Sequence, residues 1–144
     1  MDAPDERHVL RTVGYIHSTL HSVRDAPRQG EEGAPDAWLE VKPEFRRALH
    51  GVARGDELFV ITWLHQADRD VLEVHPRGDP DTPLTGVFAT RSPHRPNPLG
   101  LHRVTVREVA DIRLRIGPIE AVDGTPVVDV KVLLASESAT PHAR

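Results

Sequence analysis

Cysteine is absent from the chain. That excludes disulfides, thiol nucleophiles and cysteine-ligated zinc or iron–sulfur centres. Long apolar runs are absent too. None approaches the ~20 residues needed to span a bilayer, and no signal-peptide hydrophobic region follows Met1, so a soluble cytoplasmic protein with no membrane partner is expected. A strong charge of one sign is also lacking. The 22 acids stand against 18 Lys plus Arg, for a net charge of −4. Coating of nucleic acid by net charge is thereby ruled out, while a local basic patch is not. The common cofactor and catalytic fingerprints are missing: G-x-G-x-x-G after a strand, the phosphate loop G-x-x-x-x-G-K, H-E-x-x-H and G-x-S-x-G. Among the nine histidines no two stand at i, i+4 within a carboxylate-rich segment, so solvated or singly bonded histidines are expected and no metal.

What remains fits one domain. With 144 residues, roughly 70% of the extended chain's surface can be buried on folding. Hydrophobic residues are 38% and charged residues 28%, but the apolar ones cluster in runs. Residues 1–8 read as a flexible N-terminus, residues 9–134 as the folded domain and residues 135–144 as a flexible C-terminal tail.

Strands dominate. Leu58 to Leu64 (LFVITWL) is nearly all apolar and reads as buried on both faces. Val104–Val106 and Ile112–Ile116 alternate apolar and polar, and the Ala110-Asp111 step between them is short enough for a hairpin. Val127–Leu134 alternates too, putting Val128, Val130, Val132 and Leu134 on one face. Val9–Ile16 and Trp38–Val41 are further strand candidates. One helix is expected: Pro43 suits a first turn, Phe45, Leu49 and Val52 share a face, and Gly51 ends it. Thirteen prolines and ten glycines punctuate the rest. The expected fold is therefore mainly β: a small closed or nearly closed antiparallel barrel with one or two short helices.

The most unusual segment is Gly86–Gly100, GVFATRSPHRPNPLG. Pro93, Pro96 and Pro98 fix the backbone and remove donors, so this loop is stiff and is not a central strand. Arg91, Ser92, His94, Arg95 and Asn97 project from a support already ordered before a ligand arrives. From Gly86 to Arg107 there are four arginines (Arg91, Arg95, Arg103, Arg107) and no acid, a patch that can meet a phosphate backbone. A rigid crossover with solvated arginines, balanced by the acids of Ala67–Asp81, explains the same composition. Three more polar clusters interrupt apolar context: Pro27-Arg28-Gln29, His65-Gln66, and the turn from Glu120 to Pro126. Arg28 can grip a carboxylate as a fork, and strand ends and turns gather sites at barrel mouths. Each cluster is equally a turn or cap taken alone.

Together these segments resemble the TsaA-like family, also called the TrmO family. The resemblance rests on PRQ at Pro27–Gln29, GDELFVITWLHQ at Gly55–Gln66, GVFATRSPHRPNPLGL at Gly86–Leu101 and EAVDGTPVVDVK at Glu120–Lys131, in the family's order and spacing, over about Val9 to Leu134. It implies a compact β-barrel that binds S-adenosyl-L-methionine, unlike Rossmann-type methyltransferases, and a homodimer. It also implies methylation of N6 of threonylcarbamoyl-adenosine beside the tRNA anticodon. Carried over by motif, the cofactor contacts are Pro27, Arg28, Gln29, His65, Gln66, Arg91, Leu101 and the turn Ile119, Glu120, Ala121, Val122. Arg95, Asn97 and Arg103 are candidates for substrate contacts, and Asp129 or Asp123 for accepting a proton or offsetting the sulfonium charge. The family's usual R-S-P after the first strand is replaced here by His17-Ser18-Thr19, and the second domain of bacterial tRNA-modifying members is not among the 144 residues. Two alternatives therefore stand beside tRNA methylation: methylation of a small metabolite, and a non-catalytic barrel that keeps the cofactor pocket.

Overall fold

In the computed structural model, residues 6–22, 26–27 and 33–137 are described. The strands are β1 (Gly14–His17), β2 (Ala37–Val41), β3 (Glu57–Trp63), β4 (Glu73–Val74), β5 (Thr85–Gly86), β6 (Leu99–Ala110), β7 (Arg113–Gly117) and β8 (Pro126–Val132). Six of them close a barrel in the order β1-β2-β7-β6-β3-β8, and every neighbouring pair is antiparallel. The expected small antiparallel barrel is the fold found. β4 and β5 form a separate two-stranded ribbon inside the long β3–β6 connection. No helix among the described residues is long and apolar enough to cross a membrane.

Alternation builds the interior, because successive side chains of a strand point to opposite sides. Leu58 and Val60 of β3, Val104 and Val106 of β6, and Leu114 and Ile116 of β7 meet Ile16, Leu39 and Val127 in one core. The outer side of β3 differs from the expectation of burial on both faces: Phe59, Ile61 and Trp63 are only half-buried. A closed barrel has one interior, and their outward neighbours on β6, Leu99 and Leu101, are themselves exposed. In β8 a bulge breaks the expected alternation. Ile61 faces Asp129 but Thr62 faces Val127, leaving Val128 as the extra residue. Val127 therefore joins the core in place of Val128, while Val132 at the strand's end is 58% exposed and Leu134 lies beyond it.

The expected helix forms as a 3-10 turn over Pro43–Leu49. Phe45, Leu49 and Val52 pack on the core from one side, as their spacing requires. Gly51 follows at φ +97°, a left-handed position open to glycine. The hairpin between β6 and β7 turns at Asp111-Ile112, with Asp111 at φ 57°, which a short polar side chain tolerates.

Strand direction sorts the loops. Because all six barrel strands alternate in direction, the β1–β2, β3–β6 and β7–β8 connections leave from one end. The β2–β3 connection and the β6–β7 hairpin leave from the other. The three connections at the first end carry PRQ, the His65-Gln66 and proline–arginine segments, and the turn at residues 119–125.

Closure is tight where β1 meets β2. Gly14 pairs with Val41 there, and a methyl group on it would drive into the Glu40 carbonyl oxygen. Gly14→Ala should therefore cost about 1–3 kcal/mol, measured as a lower urea midpoint at unchanged slope. An unchanged midpoint would mean that the barrel seam has slack.

Candidate functional site

A loop with three prolines is short of N–H donors but keeps all its carbonyl acceptors. In and beside the 90–98 loop, arginines meet several of the acceptors. Arg95 donates to the carbonyls of Val87 and Thr90. Arg69, from the turn after β3, donates to Pro96 O at 2.7 Å and to Asn97 Oδ1 at 3.2 Å, with its guanidinium 5.1 Å from the Trp63 ring centre. Three more bonds tie the two segments: Leu64 N to Pro98 O at 2.8 Å, Arg95 N to Asp68 O at 3.1 Å and Asp68 N to His94 Nδ1 at 3.0 Å. His65 and Gln66 are exposed on the turn so held. Arg91 is exposed beside it and directs one N–H at the Leu101 carbonyl, 3.4 Å away.

The second assembly is the β7–β8 turn. Ile119, Ala121 and Val122 are buried. Ile119 N donates to Pro35 O at 3.0 Å, and Asp123 N donates to Leu20 O at 2.6 Å. Leu20 and Pro35 lie near the two ends of the β1–β2 connection, so that connection is anchored at both ends on this turn. Asp123 strengthens the link by accepting from Ser18 N at 2.9 Å. Among the described residues the amides of Glu120, Ala121 and Val122 meet no acceptor.

A buried polar chain joins the turn to the strands. His102 is an inward residue of β6, only 4% exposed. Its Nε2 lies 2.7 Å from Thr62 Oγ1 on β3, and its Nδ1 lies 2.6 Å from Glu120 Oε1. Both ring nitrogens are thus satisfied, which removes the penalty of burying them. Gly100, the inward neighbour, must lack a side chain, because a Cβ there would collide with Thr62 and His102.

The sequence-derived candidates therefore fall into distinct places. His65, Gln66 and Arg91 share the braced loop, and Ile119–Val122 form the anchored turn. Leu101 is 42% exposed on the outer side of β6, opposite Ile61, and Asp129 lies across Ile61 on the same outer row. Arg103, also outward on β6, reaches Glu57 at 3.9 Å and the Glu137 carbonyl. Asn97 and Arg95 are engaged within the loop itself. Pro27 is half-buried, and Arg28 and Gln29 lie outside the described residues. Two important side chains are not evident from the sequence motifs. His102 carries a signal, a polar residue in register with Val104 and Val106 on an apolar face. Arg69 carries none, being one cation among the acids of 67–81.

The chain has relatives among known proteins. The model of the tRNA-methyltransferase O N-terminal domain matches residues 15–137. This chain belongs to that family. A probable S-adenosyl-L-methionine-binding protein of Pyrococcus horikoshii is 46% identical over 101 residues, covering 67% of this chain and 72% of the relative. One of Methanothermobacter thermautotrophicus is 41% identical over 122 residues, covering 85% and 87%. The crystal structure of TrmO from P. aeruginosa superposes with a TM-score of 0.75 at 31% identity over 99% of this chain. A second TrmO crystal structure gives 0.74 at 33% identity over 96%. This chain spans 62% of the length of each of those two TrmO chains.

In this member of the tRNA-methyltransferase O family, the 119–122 turn hangs on His102. His102→Ala strands Thr62 Oγ1 and the Glu120 carboxylate, so it should lower stability by about 2–4 kcal/mol. It should also speed amide hydrogen exchange at Ile119 and Asp123, whose N–H groups hold the turn to Pro35 and Leu20, beyond the global change. Exchange that rises uniformly across the barrel would contradict the anchoring role.

Proposed function

We propose that this chain is an S-adenosyl-L-methionine-dependent methyltransferase whose acceptor is N6 of threonylcarbamoyl-adenosine beside the tRNA anticodon. Family membership supports the coarser statement, a methyltransferase that takes S-adenosylmethionine. The observation that carries the site is topological: PRQ, the proline–arginine loop and the 119–125 turn belong to connections that leave one end of the barrel, and the fourth motif runs along β3 to reach that end at His65-Gln66.

The side chains at that end suit this cofactor. The guanidinium of Arg91 gives one N–H to Leu101 and keeps others for a carboxylate. Arg28, by the family motif, is the second cation for it. The unbonded amides of the 120–122 turn suit the edge of an adenine ring or ribose oxygens, and Leu101 offers an exposed apolar surface for a ring face. Bound S-adenosylmethionine supplies a methyl group on a sulfonium sulfur, already activated for transfer. The task left to the protein is alignment, for which positioning alone supplies several kcal/mol. The braced loop and the anchored turn do that work, being held by their own hydrogen bonds. The acceptor nitrogen must also lose a proton. Asp129 is the better holder, because it is exposed on the outer row with Leu101 and its carboxylate accepts only from the amide of Val130 among the described residues. Asp123 has its Oδ1 engaged by Ser18.

The enzyme acts as a homodimer in the cytoplasm. Support for the dimer comes from a division of the candidates: Leu101 and Asp129 face outward, while Glu120 reaches inward to His102. The competing acceptor, a small metabolite, draws support from Arg95 and Arg103. Both are engaged within the protein, so the basic segment offers less free charge than its composition suggests.

Incubation with tritiated S-adenosylmethionine and total tRNA, followed by digestion to nucleosides, decides the acceptor. Label in a modified adenosine is expected. Label found only in a small-molecule extract would transfer the activity to a metabolite, and none anywhere would leave a binding barrel. Calorimetry should show saturable cofactor uptake in the micromolar range or tighter. Arg91→Ala and His65→Ala should each weaken uptake about tenfold, or about 1.4 kcal/mol, with unchanged melting. Wild-type affinity in both would overturn the site.

A further inference from the structure

A groove of about 550 Å3 lies away from the motif-bearing loops, lined by Val52, Ala53, Arg54, Arg107, Glu108, Val109 and Arg115. Three separate parts of the chain bring arginines to it: the turn before β3, the middle of β6, and β7. The turn is fastened to β6 by Gly55 N donating to Val106 O and Val106 N to Asp56 O, both at 2.8 Å. The β6–β7 pairing then skips a residue. Val106 faces Ile116 and Glu108 faces Arg115, so Arg107 is the bulged residue. Bulges re-aim side chains, and this one sends Arg107 toward Arg115.

Asp36 organises the pair. Its carboxylate lies 3.6 Å from Arg107 Nε and 3.0 Å from Arg115 Nη1, while Glu108 lies 3.8 Å from Arg115 Nε. Each guanidinium carries five N–H donors, so two carboxylates at three atoms leave most of them free. Among the described residues no carboxylate pairs with Arg54. Three cations meet Asp36 and Glu108, with a third carboxylate, Asp56, held by Ala53 N at 2.9 Å on the turn, and two of the guanidiniums are already held in place. Little side-chain entropy is left to lose on binding an anion.

We propose that this groove is a phosphodiester-binding subsite for an RNA strand. Guanidinium forks match the oxygens of a phosphodiester, and the pair held by Asp36 has N–H groups to spare for them. The position suits the task. Asp36 follows Pro35, whose carbonyl holds Ile119 N, so the carboxylate that organises the arginines stands one residue from a bond to the 119–122 turn. A strand whose base enters the barrel mouth would reach the groove by running along the outer side of β6 and β7. The proposal rests on RNA being the methyl acceptor, and it adds a contact that the basic segment 86–107 alone does not identify: Arg54 and Arg115 lie outside that segment.

The test measures binding of total tRNA across a potassium chloride series for the parent, Arg54→Ala, Arg54→Lys and Arg54→Ala/Arg107→Ala. Because no described carboxylate pairs with Arg54, its removal should leave melting unchanged. S-adenosylmethionine uptake should also stay unchanged in Arg54→Ala. Affinity for tRNA should fall severalfold in Arg54→Ala and further in the double variant. The slope of log affinity against log salt should shrink by about 0.7–0.9 for each phosphate that is no longer neutralised. Arg54→Lys, keeping the charge, should retain the parent's slope. If the parent methylates tRNA but the variants match its affinity and slope, the groove does not touch RNA and the proposal falls alone. A parent that takes up the cofactor yet neither binds nor labels tRNA overturns both the subsite and the acceptor reading. Saturable pyrophosphate uptake that Arg54→Ala abolishes, without any change in tRNA binding, would assign the groove to a free phosphate compound instead.

Discussion

Antiparallel closure is the constraint on which the rest depends. Six strands that alternate in direction around a ring leave their connections at two ends and nowhere else. Each long connection here belongs to the same end except the one carrying Pro43–Leu49, which packs back on the core. The apolar core reaches that end through Ile119 and Ala121, and a polar chain adjoins it there. Thr62, His102 and Glu120 satisfy one another there, on β3, β6 and the β7–β8 turn. Such a network adds little net stability when complete, but losing any member strands the others in a low-dielectric interior. It therefore fixes the turn's position more than it strengthens the fold. The requirement for glycine at position 100 follows from the same crowding.

The proline–arginine loop acquires a physical explanation from its hydrogen bonds. Prolines stiffen the backbone and remove donors, which leaves a surplus of carbonyl oxygens. Arginine is the natural complement, since it donates five times and accepts nothing. Arg95 and Arg69 satisfy carbonyls at Val87, Thr90 and Pro96. Part of the motif's positive charge is thus scaffolding, and Arg91 is the cation of the loop that stays exposed. Composition treats all these arginines alike; only the bonds separate the one that can bind from those that brace.

Period-two alternation makes the barrel legible from residues alone, because a half-buried strand has to repeat that way. The hairpin at 110–112 and the burial of Phe45, Leu49 and Val52 are legible from equally regular spacing. Bulges are not. Nothing local to Val128 or Arg107 marks them, since each adjusts the register between strands whose partners are distant in sequence. The bulge at 128 moves Val127 into the core, and the bulge at 107 creates the arginine groove. Burial of β3 on both faces does not follow from its residues, because an apolar outer row looks the same whether covered or half-exposed. At the candidate site, the His65–Gln66 and Arg91 segments are visible as interruptions of apolar runs. His102 needs its partner Glu120, 18 residues away and in a different element, to become meaningful.

The remaining tension at the site is one of sidedness. A β-strand presents neighbouring residues to opposite faces, so Leu101 and His102 cannot both line one cavity. His102 holds the turn against the barrel mouth, and Leu101 looks outward over Ile61 toward Asp129. The turn's free amides and the Leu101 surface therefore belong to different faces of the same wall. A second copy resolves this without moving either: its own mouth can approach the outer row of β3 and β6, where Phe59, Ile61, Trp63, Leu99 and Leu101 form a half-exposed apolar band. Burial of that band would supply the association energy, at about 25 cal/mol for each Å2 of apolar surface removed from water. The proposed homodimer would take one half of each cofactor site from each copy.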